Sequence, residues 1–233
     1  MNSPTYSTAL IVGAGEGLSA SLARLFAREG IKVALAARRT DKLAEICKET
    51  GAAAFACDAS DAADVAKLFA DVEARIGTPD IVVFNPSKRV PGSFLELAPA
   101  EVAEAIAISA FGGFLVAQQA AKRMLPQGHG AILFTGASAS VKGFPKSTAF
   151  AMGKFALRGL AQSIARELSP HGIHVAHVVI DGGIRSAARP VPADKPDSLL
   201  DPDAIALTYW SVLQQPHSAW SFEVEVRPWV EKF

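Results

Sequence analysis

Residues 10–19, LIVGAGEGLS, decide how this chain is expected to fold. Residues 10–12 form a short apolar run, which predicts a buried strand, and glycines occupy alternate positions from residue 13 to residue 17. From residue 18 onward, apolar residues recur at helical spacing until Gly30, a residue type that commonly ends helices. The stretch therefore predicts a strand, a tight turn and a helix in direct succession.

Gly13, Gly15 and Gly17 lie in the predicted turn, and Leu18 opens the predicted helix. A turn of this kind binds the pyrophosphate of a dinucleotide, because glycines let phosphates approach the backbone and the helix N-terminus attracts negative charge. A tight turn that binds nothing is the alternative. Its place in the first strand and helix of the chain favours the ligand-binding interpretation.

The same alternation of strands and helices continues along the chain. Further strands are predicted over residues 32–36, 52–56, 81–84, 131–134, 174–180 and 222–226, the last at a sheet edge. Further helices are predicted over residues 40–50, 61–76, 101–124, 150–168 and 203–214, the first capped by Thr40. This alternation implies an α/β fold with a doubly wound parallel sheet of about seven strands and helices on both faces. We expect one Rossmann-type dinucleotide-binding domain over residues 1–233.

One segment interrupts the periodicity. Residues 185–202 contain four prolines and mixed charges. We expect a mobile loop there, which is a common place for a lid over a substrate.

The composition excludes several classes of protein. Lysine and arginine total 23 and aspartate and glutamate total 23, so the formal net charge is zero and no basic surface is predicted for nucleic acid or an anionic membrane. Half of the residues are hydrophobic and the mean hydropathy is +0.23, which predicts a packed core rather than disorder. We find no run of 18 apolar residues and expect no membrane span or signal peptide. Cys47 and Cys57 lack the spacing of a metal or disulfide site, so we expect no metal and a reducing, cytoplasmic location.

Five short motifs carry a resemblance to a known family. They are VGAGEGLS at residues 12–19, Cys57-Asp58, FNPS at residues 84–87, FAMGK at residues 150–154 and DGGI at residues 181–184. In these motifs the chain resembles the short-chain dehydrogenase/reductase family of single-domain Rossmann proteins, which move hydride between NAD(P) and an alcohol or carbonyl. The resemblance implies an oxidoreductase with cofactor contacts in each motif, at Gly13, Gly15, Gly17, Leu18, Asp58, Asn85, Lys154 and Gly183.

The chain departs from that family at the catalytic positions. The family uses an Asn-Ser-Tyr-Lys tetrad in which tyrosine exchanges the proton, and Phe150 has no oxygen at the tyrosine position. Ala137 falls at the serine position with Ser138 one place away, and Ser109 takes the asparagine position. Lys154 alone stays in place, where it would hold the nicotinamide ribose. Because a positioned general acid contributes about 100- to 10,000-fold in rate, we expect tyrosine-dependent carbonyl chemistry to be impaired.

Two other functions stay open at this point. A missing proton donor fits a noncatalytic cofactor-binding sensor or a partner subunit. An enzyme that uses the crevice for a reaction without a redox step is the third class, and the free pocket is its only support.

Six polar residues are candidates for a role beside the reacting group: His177, Ser147, Thr148, Tyr209, Lys88 and Arg89. A satisfied core histidine is the favoured interpretation of His177, helix capping that of Ser147 and Thr148, and packing that of Tyr209. Lys88 and Arg89 follow a strand at the end where parallel sheets bind ligands. They either meet an anionic substrate or are solvated.

The end of the second strand bears on the cofactor. Arg38 follows this strand and no acidic residue accompanies it, which favours NADP because a guanidinium pairs with the 2′-phosphate, whereas NAD calls for an acid. Glu16 argues the other way, since its carboxylate repels that phosphate unless Arg38 neutralises it. Ser19 and Pro86 also crowd the expected cofactor path. We predict NADP, with NAD and no tight dinucleotide as alternatives.

The family resemblance also implies self-association. Members commonly form dimers or tetramers through two long helices, here residues 101–124 and 150–168. We predict a homodimer or homotetramer that acts on a small molecule whose identity the sequence does not give, with no nucleic-acid or membrane partner.

Overall fold

The predicted parallel sheet is confirmed in a computed structural model that describes residues 5–231. Seven parallel strands form one sheet in the order β3-β2-β1-β4-β5-β6-β7. Their bounds are β1 Thr8–Val12, β2 Lys32–Ala37, β3 Ala53–Ala56, β4 Ile81–Phe84, β5 Gly130–Thr135, β6 Ile173–Ile180 and β7 Glu223–Val226. β1 and β4 are neighbours although two strands separate them in sequence, so the strand order reverses between them. A crevice opens at the carboxyl ends of the strands at such a point.

Helices cover both faces of the sheet, as predicted. Their bounds are α1 Leu18–Arg28, α2 Ala44–Thr50, α3 Ala62–Ile76, α4 Pro99–Ile106, α5 Gly112–Met124, α6 Thr148–Leu168 and α7 Pro202–Leu213. The strands point alternate side chains to the two faces, so each strand contributes to both layers of core. Ile11 and Val83 pack with α1 and α7, whereas Leu10 and Phe84 pack with α3, α5 and α6.

The helix predicted over residues 101–124 differs in detail from the observed one. It begins at Pro99, and a five-residue π-helical segment, Ala107–Phe111, separates α4 from α5. A π-helical segment inserts one extra residue per turn and is frequent at functional sites. Ser109 lies in this segment and is fully buried.

The same helical stretch has the length and apolar composition of a membrane span. Residues Pro99–Gln127 are long and apolar enough to cross a bilayer, judged by length and composition alone, and 39% of the apolar part of this stretch is buried. The part of this stretch in α5 contacts α6 and strands β4 and β5. Those contacts are the ones a core helix of this fold makes.

Helix starts were predicted less well than strands. Thr40 makes no capping hydrogen bond, because residues Asp41–Leu43 form a single 3₁₀ turn before α2 begins. Asp61 does cap its helix: its carboxylate accepts a hydrogen bond from the amide of Asp64 at 2.8 Å. The Thr40 prediction fails because Thr40 has a helical backbone conformation, with φ −88° and ψ −15°, rather than the extended conformation that a capping residue needs.

Candidate functional site

Gly13 ends β1 in a conformation that only glycine adopts easily. Its φ is +79°, and a Cβ at this residue would lie 2.6 Å from the backbone nitrogen of Pro86. The amides of Gly13 and Ala14 both donate to the carbonyl of Ala36 at 2.9 Å. The turn is therefore bound to β2 on one side and packed on the residue after Asn85 on the other.

Gly15 and Gly17 face open space. A Cβ at either residue would meet nothing within 4 Å, and α1 starts at Leu18 without a side-chain cap or an acidic residue in its first turn. Ser19 is 2% exposed, and the Asn85 amide donates to its hydroxyl at 2.9 Å. Ser19 is thus held inside the fold, and the expectation that it crowds the crevice is wrong.

A first cavity of about 790 Å³ opens at the carboxyl ends of β1, β2, β3 and β4. Four cations line it, Arg38, Arg39, Lys42 and Lys88, the last of them paired with Glu104. Asp58 and Asn85 line it as well. Lys42 was not singled out from the sequence, although it lies four residues after Arg38. The 3₁₀ turn that follows β2 brings it into the same cavity.

Asp58 is held in its charged form. The hydroxyl and the amide of Ser60 donate to its carboxylate at 2.6 and 2.9 Å. These hydrogen bonds, and the guanidinium of Arg38 to a lesser degree, lower the pKa of Asp58. Glu16, by contrast, is exposed and forms no ion pair within residues 5–231. The possible Glu16–Arg38 pair is therefore absent from the described structure.

A second cavity of about 400 Å³ adjoins the glycine turn. Gly17, Leu18 and Asn85 line it together with residues from β5, α6 and the segment after β6. The side chains in its lining that matter for chemistry are Arg89, Thr135, Phe150, Lys154, Arg185 and Arg189. No aspartate or glutamate is among the lining residues.

Lys154 is the most buried cation of this second cavity. Its side chain is 2% exposed, and its ammonium donates to the Thr135 carbonyl at 2.7 Å. Burial, together with a smaller contribution from the charge of Arg89, lowers the pKa of Lys154 from 10.5 to about 7. The Thr135 hydroxyl in turn pairs with the phenol of Tyr209 at 2.8 Å. Tyr209 is fully buried, so the packing role predicted for it is confirmed.

Phe150 lies one helical turn before Lys154 and also lines the second cavity. The guanidinium carbon of Arg89 lies 4.4 Å from the centre of the Phe150 ring, a cation–π contact. The two residues are 61 positions apart in sequence, so no local sequence pattern predicts the contact. Ala137 lines the same cavity.

The hydroxyls of Ser109 and Ser138 each form a hydrogen bond within the fold. The Ser109 hydroxyl accepts a hydrogen bond from the backbone amide of Lys88 at 3.1 Å. Gly153 packs against Ser109 so closely that a Cβ at residue 153 would lie 2.8 Å from the Ser109 Cβ. The Ser138 hydroxyl donates to the carboxylate of Asp181 and lowers the pKa of that carboxyl. Ala137, rather than Ser138, lines the second cavity. Catalytic roles for these serines stay predictions.

The segment after β6 closes one side of the second cavity. Gly182 lines the cavity, whereas the carbonyl of Gly183 accepts a hydrogen bond from Leu200 at 2.8 Å. Arg185 pairs with Asp201 at 2.7 Å across the segment. Four residues of the expected loop reach the cavity: Arg185, Ser186, Ala188 and Arg189. Its position fits a lid, and its mobility stays a prediction.

His177 is a half-satisfied core residue. Its Nδ1 lies 2.9 Å from a Glu223 carboxylate oxygen, which also pairs with Arg158 at 2.7 Å. Its buried Nε2 has no partner in the described part of the chain, and a Cβ at Gly136 would lie 2.5 Å from it. Burial lowers the pKa of His177, although Glu223 opposes the effect. The core position expected for His177 is therefore confirmed, with Glu223 as the partner of Nδ1.

The capping roles expected before α6 are also wrong. Ser147 stands at the N-cap position but makes no capping hydrogen bond with its side chain, and Thr148 is already helical.

Lys88 pairs with Glu104 beside the first cavity, whereas Arg89 lines the second cavity. The two adjacent cations therefore have different surroundings.

Comparison with known proteins assigns this arrangement to a family. A sequence model described as short chain dehydrogenase matches residues 7–190. The chain belongs to the short-chain dehydrogenase family. A short-chain dehydrogenase from Rhodopseudomonas palustris is 35% identical to it, with a TM-score of 0.84 over 97% of this chain and 100% of that one. A metagenomic short-chain oxidoreductase, solved in complex with NADP, is 28% identical, with a TM-score of 0.84 over 95% of this chain and 97% of the other.

A curated relative of the chain is named short chain aldehyde dehydrogenase 1 and comes from Euphorbia lathyris. The two are 31% identical over 173 residues, which is 72% of this chain. The matched part spans 60% of that relative's length. The likeness therefore supports the family and the shared domain.

Proposed function

We propose that this short-chain dehydrogenase binds NADP across its two cavities, and that it is an oxidoreductase whose tyrosine-dependent carbonyl chemistry is impaired. The observation that carries the proposal is the pair formed by Phe150 and Lys154 in the second cavity. A phenyl ring occupies the helical position that, by resemblance, bears the family's phenol, while the lysine that accompanies the phenol is retained.

The residues at the glycine turn fit a dinucleotide. Gly15 and Gly17 leave the space that phosphates need, and the first turn of α1 presents its amides and dipole without a competing cap. Asn85 fixes the turn from the neighbouring strand through Ser19. Leu18 and Gly182 line the second cavity, where the nicotinamide end would lie.

Cations around the first cavity favour NADP over NAD. Arg38, Arg39 and Lys42 line it, and an arginine fork pairs well with a phosphate monoester. Asp58 is the only charged lining residue that the resemblance assigns to the adenine. Glu16 is exposed and leaves Arg38 unpaired with it. The NADP complex of the metagenomic relative agrees with this preference.

The chain's own residues define what its chemistry lacks. A bound nicotinamide would supply hydride exchange. Lys154, held by the Thr135 carbonyl, would bind the adjoining ribose, and no hydroxyl at residue 150 or 137 would give a proton or polarise a carbonyl. Phe150 fills the volume that a tyrosine ring would need, so the cavity keeps its shape.

Cofactor preference is tested by fluorescence titration of NADPH and NADH. Replacing both Arg38 and Lys42 by alanine should weaken NADPH binding by about ten-fold or more, because charge-assisted hydrogen bonds to phosphate are lost, and should change NADH binding little. Replacing the exposed Lys67 by alanine is the matched control. Absence of binding of both cofactors at millimolar concentration would contradict the proposal.

Catalytic impairment is tested by restoring the missing hydroxyls. The double substitution Phe150→Tyr and Ala137→Ser should raise NADPH-dependent reduction of a carbonyl panel by about 100-fold or more. Phe94→Tyr adds a phenol at an exposed position that lines neither cavity and should change nothing. Brisk turnover by the unaltered chain would overturn the impairment.

A noncatalytic cofactor sensor or partner subunit is the second candidate, favoured by the same missing hydroxyls. This candidate is distinguished by NADPH binding without any increase in carbonyl reduction when the tetrad is restored.

Self-association and a cytoplasmic location complete the proposal. Exposed Phe111, Phe114 and Phe155 on the two long helices would be covered in a homodimer or homotetramer, and light scattering tests this.

A further inference from the structure

The charges around the second cavity are of one sign. Arg89, Lys154, Arg185 and Arg189 line it, and no carboxylate among its lining residues offsets them. Arg185 already has a partner, since it pairs with Asp201 at 2.7 Å. Lys154 is occupied by the Thr135 carbonyl. A cavity with this lining attracts an anion and repels a cation.

Arg89 is the cation placed to bind such an anion next to the reacting position. It forms no ion pair within residues 5–231, although the preceding residue Lys88 is paired with Glu104. Its guanidinium lies over the Phe150 ring at 4.4 Å. It is also close enough to Lys154 for their charges to interact.

The contact with Phe150 leaves the N–H groups of the Arg89 guanidinium available for hydrogen bonds to a ligand. A planar guanidinium uses its face on an aromatic ring and keeps its edge N–H groups free, and those edges match the two oxygens of a carboxylate. A lysine ammonium offers no such planar fork. The ring of Phe150 thus orients the group that would meet the substrate.

We propose that the substrate of this short-chain dehydrogenase is a small carbonyl or hydroxy compound that carries a carboxylate, and that Arg89 binds the carboxylate. This inference rests on the proposed function, because it takes the second cavity as the substrate site. The cavity volume of about 400 Å³, part of which the nicotinamide end would fill, restricts the substrate to a small molecule. Cofactor phosphates belong to the glycine turn and the first cavity, so Arg89 is a specificity-determining residue for the substrate.

The test compares a carboxylate with its uncharged isostere. Calorimetry with 4-formylbenzoate and 4-formylbenzamide, on protein saturated with NADP⁺, should give about ten-fold tighter binding of the carboxylate. The preference should fall to within about two-fold in Arg89→Met, which keeps packing over Phe150 but has no charge. Arg166→Met, at an exposed position remote from both cavities, should keep the full preference.

A parallel titration with NADP⁺ separates this inference from the proposed function. Arg89→Met should leave NADP⁺ affinity unchanged, and a ten-fold loss would mean that Arg89 serves the cofactor and would overturn the inference. Equal affinity for the two aldehydes, or no binding of either, would also overturn it. If NADP⁺ fails to bind the unaltered chain, the proposed function fails, and the same aldehyde pair titrated into the ligand-free protein still tests Arg89.

Discussion

Replacing Lys154 by methionine should stabilise the ligand-free protein at neutral pH. Burial lowers the pKa of this amine from 10.5 to about 7, and at about 1.4 kcal/mol per pH unit this corresponds to roughly 5 kcal/mol as an upper limit. Methionine has a similar length and no charge to desolvate. Loss of the 2.7 Å bond to Thr135 offsets about 1–3 kcal/mol, so we expect a net gain of about 2–4 kcal/mol in the free energy of unfolding.

The pH dependence has a definite sign. Between pH 7 and pH 10.5 the unfolded chain keeps the Lys154 proton that the folded chain releases, so the stability of the unaltered protein rises with pH in this window. Below pH 7 both states are protonated and the full cost of the buried charge remains. The advantage of Lys154→Met should therefore be largest at pH 7 and shrink toward pH 9.

Urea unfolding followed by circular dichroism at pH 7, 8 and 9 measures this difference. Lys67→Met is the control, because the Lys67 side chain is 73% exposed and its replacement should give a small difference that does not vary with pH in this range. A Lys154→Met protein that is less stable than the unaltered one at pH 7, or whose advantage does not change by pH 9, would refute the reasoning. It would mean that the amine is not desolvated in the folded state.

Three further substitutions test the geometry around the site. Gly13→Ala places a Cβ 2.6 Å from the Pro86 nitrogen at a φ of +79°, so it should lower the free energy of unfolding by about 1–3 kcal/mol or more and weaken NADPH binding. Thermal melting and fluorescence titration measure the two effects, and an unchanged melting temperature would contradict the close contact. Gly136→Ala brings a Cβ 2.5 Å from the Nε2 of His177 and should destabilise by about 1–3 kcal/mol in urea unfolding, whereas equal stability would show that the ring moves freely. Asp61→Ala removes the cap of α3 and should cost about 1 kcal/mol, while Asp61→Asn should cost less than Asp61→Ala; equal losses for the two would argue against capping.

Much of the fold could be predicted because its signals are local. The strand, glycine turn and helix over residues 10–28 follow from apolar periodicity and turn residues that are neighbours in sequence. Phe150 and Lys154 are four residues apart, which places them on one helix face. Where a helix begins was harder, because Thr40 precedes a 3₁₀ turn whose geometry the composition does not specify.

The parts that sequence reasoning missed depend on contacts between distant segments. Arg89 over Phe150 and the unpartnered Nε2 of His177 arise only when separate strands and helices pack together. Lys42 is an exception, because its spacing from Arg38 was visible in the sequence and only the 3₁₀ turn that contains Lys42 was not. Tertiary packing, rather than residue type, decides these features.

The close contact between Gly13 and Pro86 has a consequence for how a ligand would arrive. The first turn is bound to β2 by two hydrogen bonds and rests on the chain after β4, so its backbone is already ordered before anything binds. A ligand that binds to this turn does not have to order a flexible loop, so binding does not carry that cost in conformational entropy. We expect the association rate at this end of the crevice to reflect diffusion and charge attraction, with any slow rearrangement confined to the segment around Arg189.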